Sequence, residues 1–181
     1  MKQTKIMKKS IKTSEVLAAF NVLNSAKYGS MSDEDKIKVW KITRALKPIA
    51  TKFDEDSKDA AEKMKPKYEG GFDETLQKAQ EYERMIHDTK VDAKKLPMGA
   101  AEYDAFIKVF KEYNKLVGKA VEQFADTKVK VEFEPLTEEA FGKLMASNTD
   151  WKMSQVMALS DIICEDAAAP ADEEPKKGKK K

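Results

Sequence analysis

The chain has 181 residues, 36% of them charged and 41% hydrophobic, with a net charge of +2. That length supports one domain able to bury roughly 70% of its unfolded surface, and the near-neutral balance implies no global field for a polyanion. One histidine (His87), one cysteine (Cys164) and two arginines (Arg44 and Arg84) leave little from which to build a zinc site, a catalytic triad or a bidentate phosphate clamp.

Glycine (7) and proline (6) are few, which favours long helices over strands and turns. Residues 1–13 are basic and carry Ile6, Met7 and Ile11, so they read as a loose arm or a short, lysine-guarded edge strand. No 7–15-residue apolar run follows in the first 30 residues, so no secretory signal is expected. A first helix is expected over about 14–27, capped by Thr13-Ser14, with Val16, Leu17, Phe20 and Leu23 on its apolar side and Gly29 past its end. Ser32-Asp33-Glu34-Asp35 marks a second start, with acids where the helix dipole favours them. From there Val39, Ile42, Leu46, Ile49, Phe53, Ala60 and Met64 recur at spacings of three and four. The stripe passes through Pro48, so one long helix over about 33–65, kinked near that proline and packed lengthwise on an antiparallel neighbour, is the expectation.

A third helix is expected over about 73–88, with Leu76, Ala79, Tyr82 and Ile86, and a loop over 89–99. The fourth, about 101–125, has the clearest period: Tyr103, Phe106, Ile107, Phe110, Tyr113, Val117, Val121 and Phe124 fall within about 120° of arc. It reads as the central core helix. Val129 to Glu134 then alternates strictly, as a half-buried strand does, and the only available partner is the N-terminal arm. Thr137 caps a short helix over about 138–147. Asn148-Thr149-Asp150 opens a last one over about 151–164, with Met153, Val156, Met157, Ile163 and Cys164 on one side. From Glu165 onward, acids, alanines, prolines and then lysines predict disorder. The fold class is thus mainly α: a bundle of five or six helices with a two-stranded β element, about 4–12 with 128–134. A single domain over 1–164 and a disordered tail over 165–181 complete the expectation. No apolar stretch approaches about 18 residues, so no membrane span is expected.

No catalytic residue, cofactor or metal ligand emerges from this inventory. Cys164 reads as a buried inert thiol and His87 as a surface residue. Asp54, Glu55, Asp56 and Asp59 lie in a helical stretch, where acids splay around the axis instead of converging on a cation, and Gly70-Gly71 lacks the rest of a phosphate loop. Two surfaces remain. Trp40, Arg44, Lys36 and Lys47 lie off the main stripe of the second helix. Burial of Trp40 against the first helix is the simpler expectation; an exposed tryptophan among cations is the alternative, a common partner anchor. Lys108, Lys111, Lys115 and Lys119 line the outer side of the fourth helix, a candidate polyanion surface, though Asp104, Glu112 and Glu122 interleave with them. The shortage of arginine weakens base reading in particular. The lone cysteine fits a reducing compartment.

Three stretches carry a resemblance: Lys36-Ile37-Lys38-Val39-Trp40-Lys41-Ile42 running into Leu46-Lys47-Pro48-Ile49-Ala50 and Lys52-Phe53-Asp54, the strand Val129 to Phe133, and Trp151 to Leu159. Over about residues 10–164 the order of elements resembles that of small helical proteins of tailed phages and prophages. The resemblance implies a non-enzymatic, virus-associated protein, made in the cytoplasm of a bacterial host and connected with head or tail assembly, with incorporation in a virion as one outcome. Its partner would be another protein, such as a phage structural protein; the alternative is a nucleic-acid-binding accessory protein using the lysine face. No catalytic residue carries over.

Overall fold

The computed structural model describes residues 6–87 and 95–165. In chain order these form β1 (Met7–Lys12), α1 (Thr13–Asn24), α2 (Asp33–Met64), α3 (Phe72–Ile86), α4 (Ala100–Asp126), β2 (Lys128–Phe133), α5 (Glu138–Ser147) and α6 (Met153–Ile163). The protein is mainly α with one small antiparallel sheet, as the hydrophobic periods predict. The expected tail begins at Glu165 and otherwise lies outside the described residues, as do residues 4 and 5 of the expected strand.

Two compact units divide the chain. Unit 1 takes residues 1–50 and 128–181, and unit 2 takes the continuous stretch 51–127. Each has its own apolar cluster, where periodicity had suggested one core around the fourth helix.

In unit 1, β1 and β2 pair from Met7 opposite Phe133 to Lys12 opposite Lys128. The pleat sends Met7, Ile11, Val129, Val131 and Phe133 to one face, and that face closes on the cluster. The cluster itself is Val16 and Leu23 of α1, Val39, Ile42 and Leu46 of α2, Leu136, Leu144 of α5, and Leu159 and Ile163 of α6. The helix starts are satisfied locally. The Lys12 amide donates to the Glu15 carboxylate at 2.7 Å, Ser32 Oγ accepts from the Asp35 amide at 3.2 Å, and Thr137 Oγ1 accepts from the Ala140 amide at 3.2 Å. α2 is continuous through Pro48, which is exposed, as is Arg44, the residue whose carbonyl loses its amide partner to the ring.

Asn148 does not open the last helix as expected. It ends α5 and is buried. Its Nδ2 donates to the carbonyls of Lys27 and Leu144, both at 2.8 Å, and its Oδ1 accepts from the Lys27 amide at 2.7 Å. The connection between α1 and α2 is thereby fastened to the end of α5. α6 starts later, at Met153, where the Lys152 amide donates to Gln155 Oε1 at 2.9 Å.

The apolar phase of α6 also differs from expectation. Leu159, Ile162 and Ile163 face inward against α1, while Met153 and Met157 are exposed. Cys164 lies just past the helix in a single parallel bridge to Leu136. A helix with apolar residues on every side has no unique phase, and the branched side chains took the interior.

In unit 2, α3 and α4 pack around Phe106, whose ring meets Tyr68 edge-on at 5.2 Å and Phe72 at 5.5 Å. Most of the α4 stripe is only half-buried, so α4 walls the small cluster of unit 2. Gly70 and Gly71 have φ of 78° and 85°, a region closed to most side chains, and make the turn into α3.

Candidate interaction surface

The first turns of α2 are amphipathic by construction. Val39, Ile42 and Leu46 enter the unit 1 core, and the opposite side is left to solvent. On that side Ile37 is 53% exposed and Trp40 57%. The burial of Trp40 against the first helix is therefore overturned: α1 spends its apolar side on α6 and β1. Arg44 lies four residues on, and its guanidinium stacks 5.3 Å from the centre of the Trp40 ring. Lys36 pairs with Asp33 at 3.0 Å, and Lys41, Arg44 and Lys47 are exposed with no ion pair among the described residues. Lys41 escaped the sequence reading, although its position four residues after Ile37 places it on the same side. The result is an apolar centre, Ile37 and Trp40, among four cations and one acid.

Lys38 points elsewhere. It bridges Glu134 at 3.0 Å, and that hydrogen bond is the main reason its ammonium titrates above the ordinary range.

On α4, Lys108, Lys111, Lys115 and Lys119 are exposed, with no ion pair among the described residues. Asp104, Glu112 and Glu122 fall on the same 100°-per-residue arc, so three carboxylates offset four lysines. Beside this face Met64, Pro66, Val109, Tyr113 and Leu116 line an apolar cleft of about 340 Å³.

Cys164 belongs to unit 1 and His87 to unit 2. Cys164 is buried and its thiol is pushed up to about 11, first by desolvation and then by Glu138, with Lys9 pulling the other way and Asp161 adding the smallest push. At neutral pH it is a thiol, not a thiolate. His87 is exposed at the end of α3, in the other unit. The acids on α2 are spread along it, Asp56 paired with Lys52 and Asp59 with Lys63. Among the described residues no group of three potential ligands could hold a metal ion, and no helix is long and apolar enough to cross a membrane. Compared with known proteins, the chain matches no family model, no curated protein and no solved structure.

Proposed function

We propose that this chain is a non-catalytic interaction protein, and that the Ile37–Trp40–Arg44 face of α2 docks an acidic segment of another protein. The exposed Trp40 carries the reading. A tryptophan can bury 150–250 Å², so a ring more than half exposed leaves on the order of 100 Å² uncovered, worth roughly 2–3 kcal/mol on burial. Folding does not collect that energy; a partner would. The surrounding Lys36, Lys41, Arg44 and Lys47 choose the sign of that partner, and Arg44 holds the ring in place. An apolar anchor ringed by like charges suits a segment with one or two large apolar side chains flanked by Asp and Glu. The likeness of residues 36–54 to tailed-phage proteins is what points to an assembly role in a bacterial host.

The test is photo-crosslinking in the host with a benzophenone amino acid at position 40, the same residue at position 119 serving as control. One acidic protein should crosslink from position 40, and Arg44→Glu should abolish the product. Crosslinking equally strong from both positions would sink the reading, as would loss of cooperative unfolding in Trp40→Ala. Co-purification with virions would then decide the assembly role.

A second reading, polyanion binding by Lys108, Lys111, Lys115 and Lys119, rests on their exposure and lack of ion pairs. The interleaved acids count against it. It predicts a steep fall of affinity with salt, and a gel shift at low ionic strength showing no retarded DNA or RNA would dispose of it.

A further inference from the structure

The chain carries in its own sequence a segment of the kind the α2 face would take. Glu165-Asp166 and Asp172-Glu173-Glu174 flank a charge-free run, Ala167-Ala168-Ala169-Pro170-Ala171, and lysines follow only from Lys176. Acid, apolar, acid is the inverse of the α2 face, where Lys36, Lys41, Arg44 and Lys47 surround Ile37 and Trp40. Pro170 supplies an apolar ring that loses no side-chain entropy when placed on an indole. No side chain in the run is large, so the match is one of sign and pattern with a small anchor.

The segment also starts in the right place, and both parts belong to unit 1. The Glu165 amide donates to the Leu136 carbonyl at 3.0 Å, beside the Leu136–Cys164 bridge. Two residues before Leu136, Glu134 is ion-paired with Lys38 of α2 at 3.0 Å. At 100° per residue, Lys41 lies about 60° round the helix from Lys38 and Arg44 about 60° further. Residues 166–174 can extend to about 30 Å, against a helix diameter of about 10–12 Å, so they can pass round α2 from the Lys38 side to Arg44.

The other lysine-rich surfaces are poorer targets. On the outer face of the β1–β2 ribbon Glu132 pairs with Lys8 at 3.0 Å, and no aromatic ring stands there. The α4 lysines alternate with Asp104, Glu112 and Glu122. On α2 the acids nearest the face are engaged, Asp33 with Lys36 and Glu34 with Lys38, and Lys41, Arg44 and Lys47 have no ion pair among the described residues.

We propose that residues 165–174 dock on the Ile37–Trp40–Arg44 face of their own chain, as an occupant that an outside acidic segment must displace. The displacement rests on the reading of that face as a partner site. A tether of this length presents the segment at an effective concentration on the order of 1 mM. A contact with a dissociation constant of the same order then covers the face about half the time and halves the apparent affinity for a partner.

A nitroxide on Ala171→Cys of the full chain tests this; buried Cys164 stays unlabelled at neutral pH. With nitrogen-15 tryptophan, the Trp40 indole signal should fall steeply relative to the reduced label, at any protein concentration. The triple variant Asp172→Asn, Glu173→Gln, Glu174→Gln should restore it. So should 0.5 M salt, which screens charges beyond about 4 Å. A Trp40 signal indifferent to the label would overturn the proposal, as would a loss that survives the triple variant or grows with concentration. Crosslinking from position 40 judges the partner reading separately: no acidic product there would remove the partner while the contact seen by the nitroxide stood. A product whose yield the triple variant fails to raise, by about twofold, would overturn the displacement and leave the partner.

Discussion

Replacing Asn148 with alanine removes three hydrogen bonds without touching the apolar core. The side chain is 3% exposed and joins Lys27 through two bonds and Leu144 through one. Each bond contributes about 0.5–1.5 kcal/mol net, and more where the abandoned partner stays dry. Lys27 lies in a connection that water can reach, so its groups recover part of the loss, whereas the Leu144 carbonyl at the end of α5 recovers less. The expected cost is about 2–4 kcal/mol, or roughly 5–15 °C in melting temperature for a chain of this size. Both tryptophans, Trp40 and Trp151, belong to unit 1, so urea unfolding followed by tryptophan fluorescence reports the unit that holds Asn148. Trp151 is an internal witness, its amide donating to the Asn148 carbonyl at 3.1 Å. Ser147→Ala, which deletes the bond from the exposed Ser30 amide and the one that Ser147 Oγ donates to the Lys143 carbonyl within α5, serves as the milder control and should cost about 1 kcal/mol. A loss below about 0.5 kcal/mol in Asn148→Ala, within the usual range of inert surface changes, would refute the staple.

Phe106→Ala should cost about 3–5 kcal/mol, read by near-ultraviolet dichroism of the tyrosines packed around it; a loss under about 1 kcal/mol would mean the ring cluster is not the core of unit 2. At pH 8, Cys164, with its thiol raised from 9.0 to about 11, holds about a hundredfold less thiolate than an ordinary cysteine. Alkylation by iodoacetamide should therefore be at least that much slower until the chain is unfolded, and equal rates before and after denaturation would contradict its burial. Glu134→Gln removes the partner that raises Lys38. Because a raised lysine stabilises below its unfolded value and ceases to do so as pH climbs through the folded one, the variant should be weaker by up to about 1 kcal/mol at neutral pH. The difference should vanish only in strongly alkaline solution, and a difference that disappeared near neutrality would exclude this pair as its source.

The elements most legible from sequence were those with a single workable period. Val129, Val131 and Phe133 alternate with charges, and only the arm around Met7 and Ile11 could pair with them; the antiparallel register, Met7 opposite Phe133, comes from the structure. The α2 stripe crosses Pro48 without a break because an exposed turn tolerates the missing amide. Legibility failed where periodicity is degenerate or where long-range contacts decide. Met153 and Met157 look no less apolar than Ile162 and Ile163, and only the packing of α1 selects between them. Trp40 belongs to a helix whose neighbour was already occupied, a fact of three-dimensional arrangement. Asn148 reads as a helix start from its neighbours in sequence, while its true partner, Lys27, lies 121 residues away. Two cores took the place of one because the α4 stripe and the α1, α5 and α6 stripes are each sufficient to close their own cluster.

The pairing of β1 with β2 also sets a timetable. Lys12 meets Lys128, and every other pair in the ribbon is still farther apart in sequence. At about 5–20 residues per second of synthesis, β1 emerges on the order of 6–25 s before its partner is made. All of residues 51–127 are on hand before that moment, so the inserted unit has its full sequence while the strand that opens the chain is still single. During that interval Lys8, Lys9 and Lys12 are what stand between an unpaired strand and the wrong neighbour on an adjacent nascent chain.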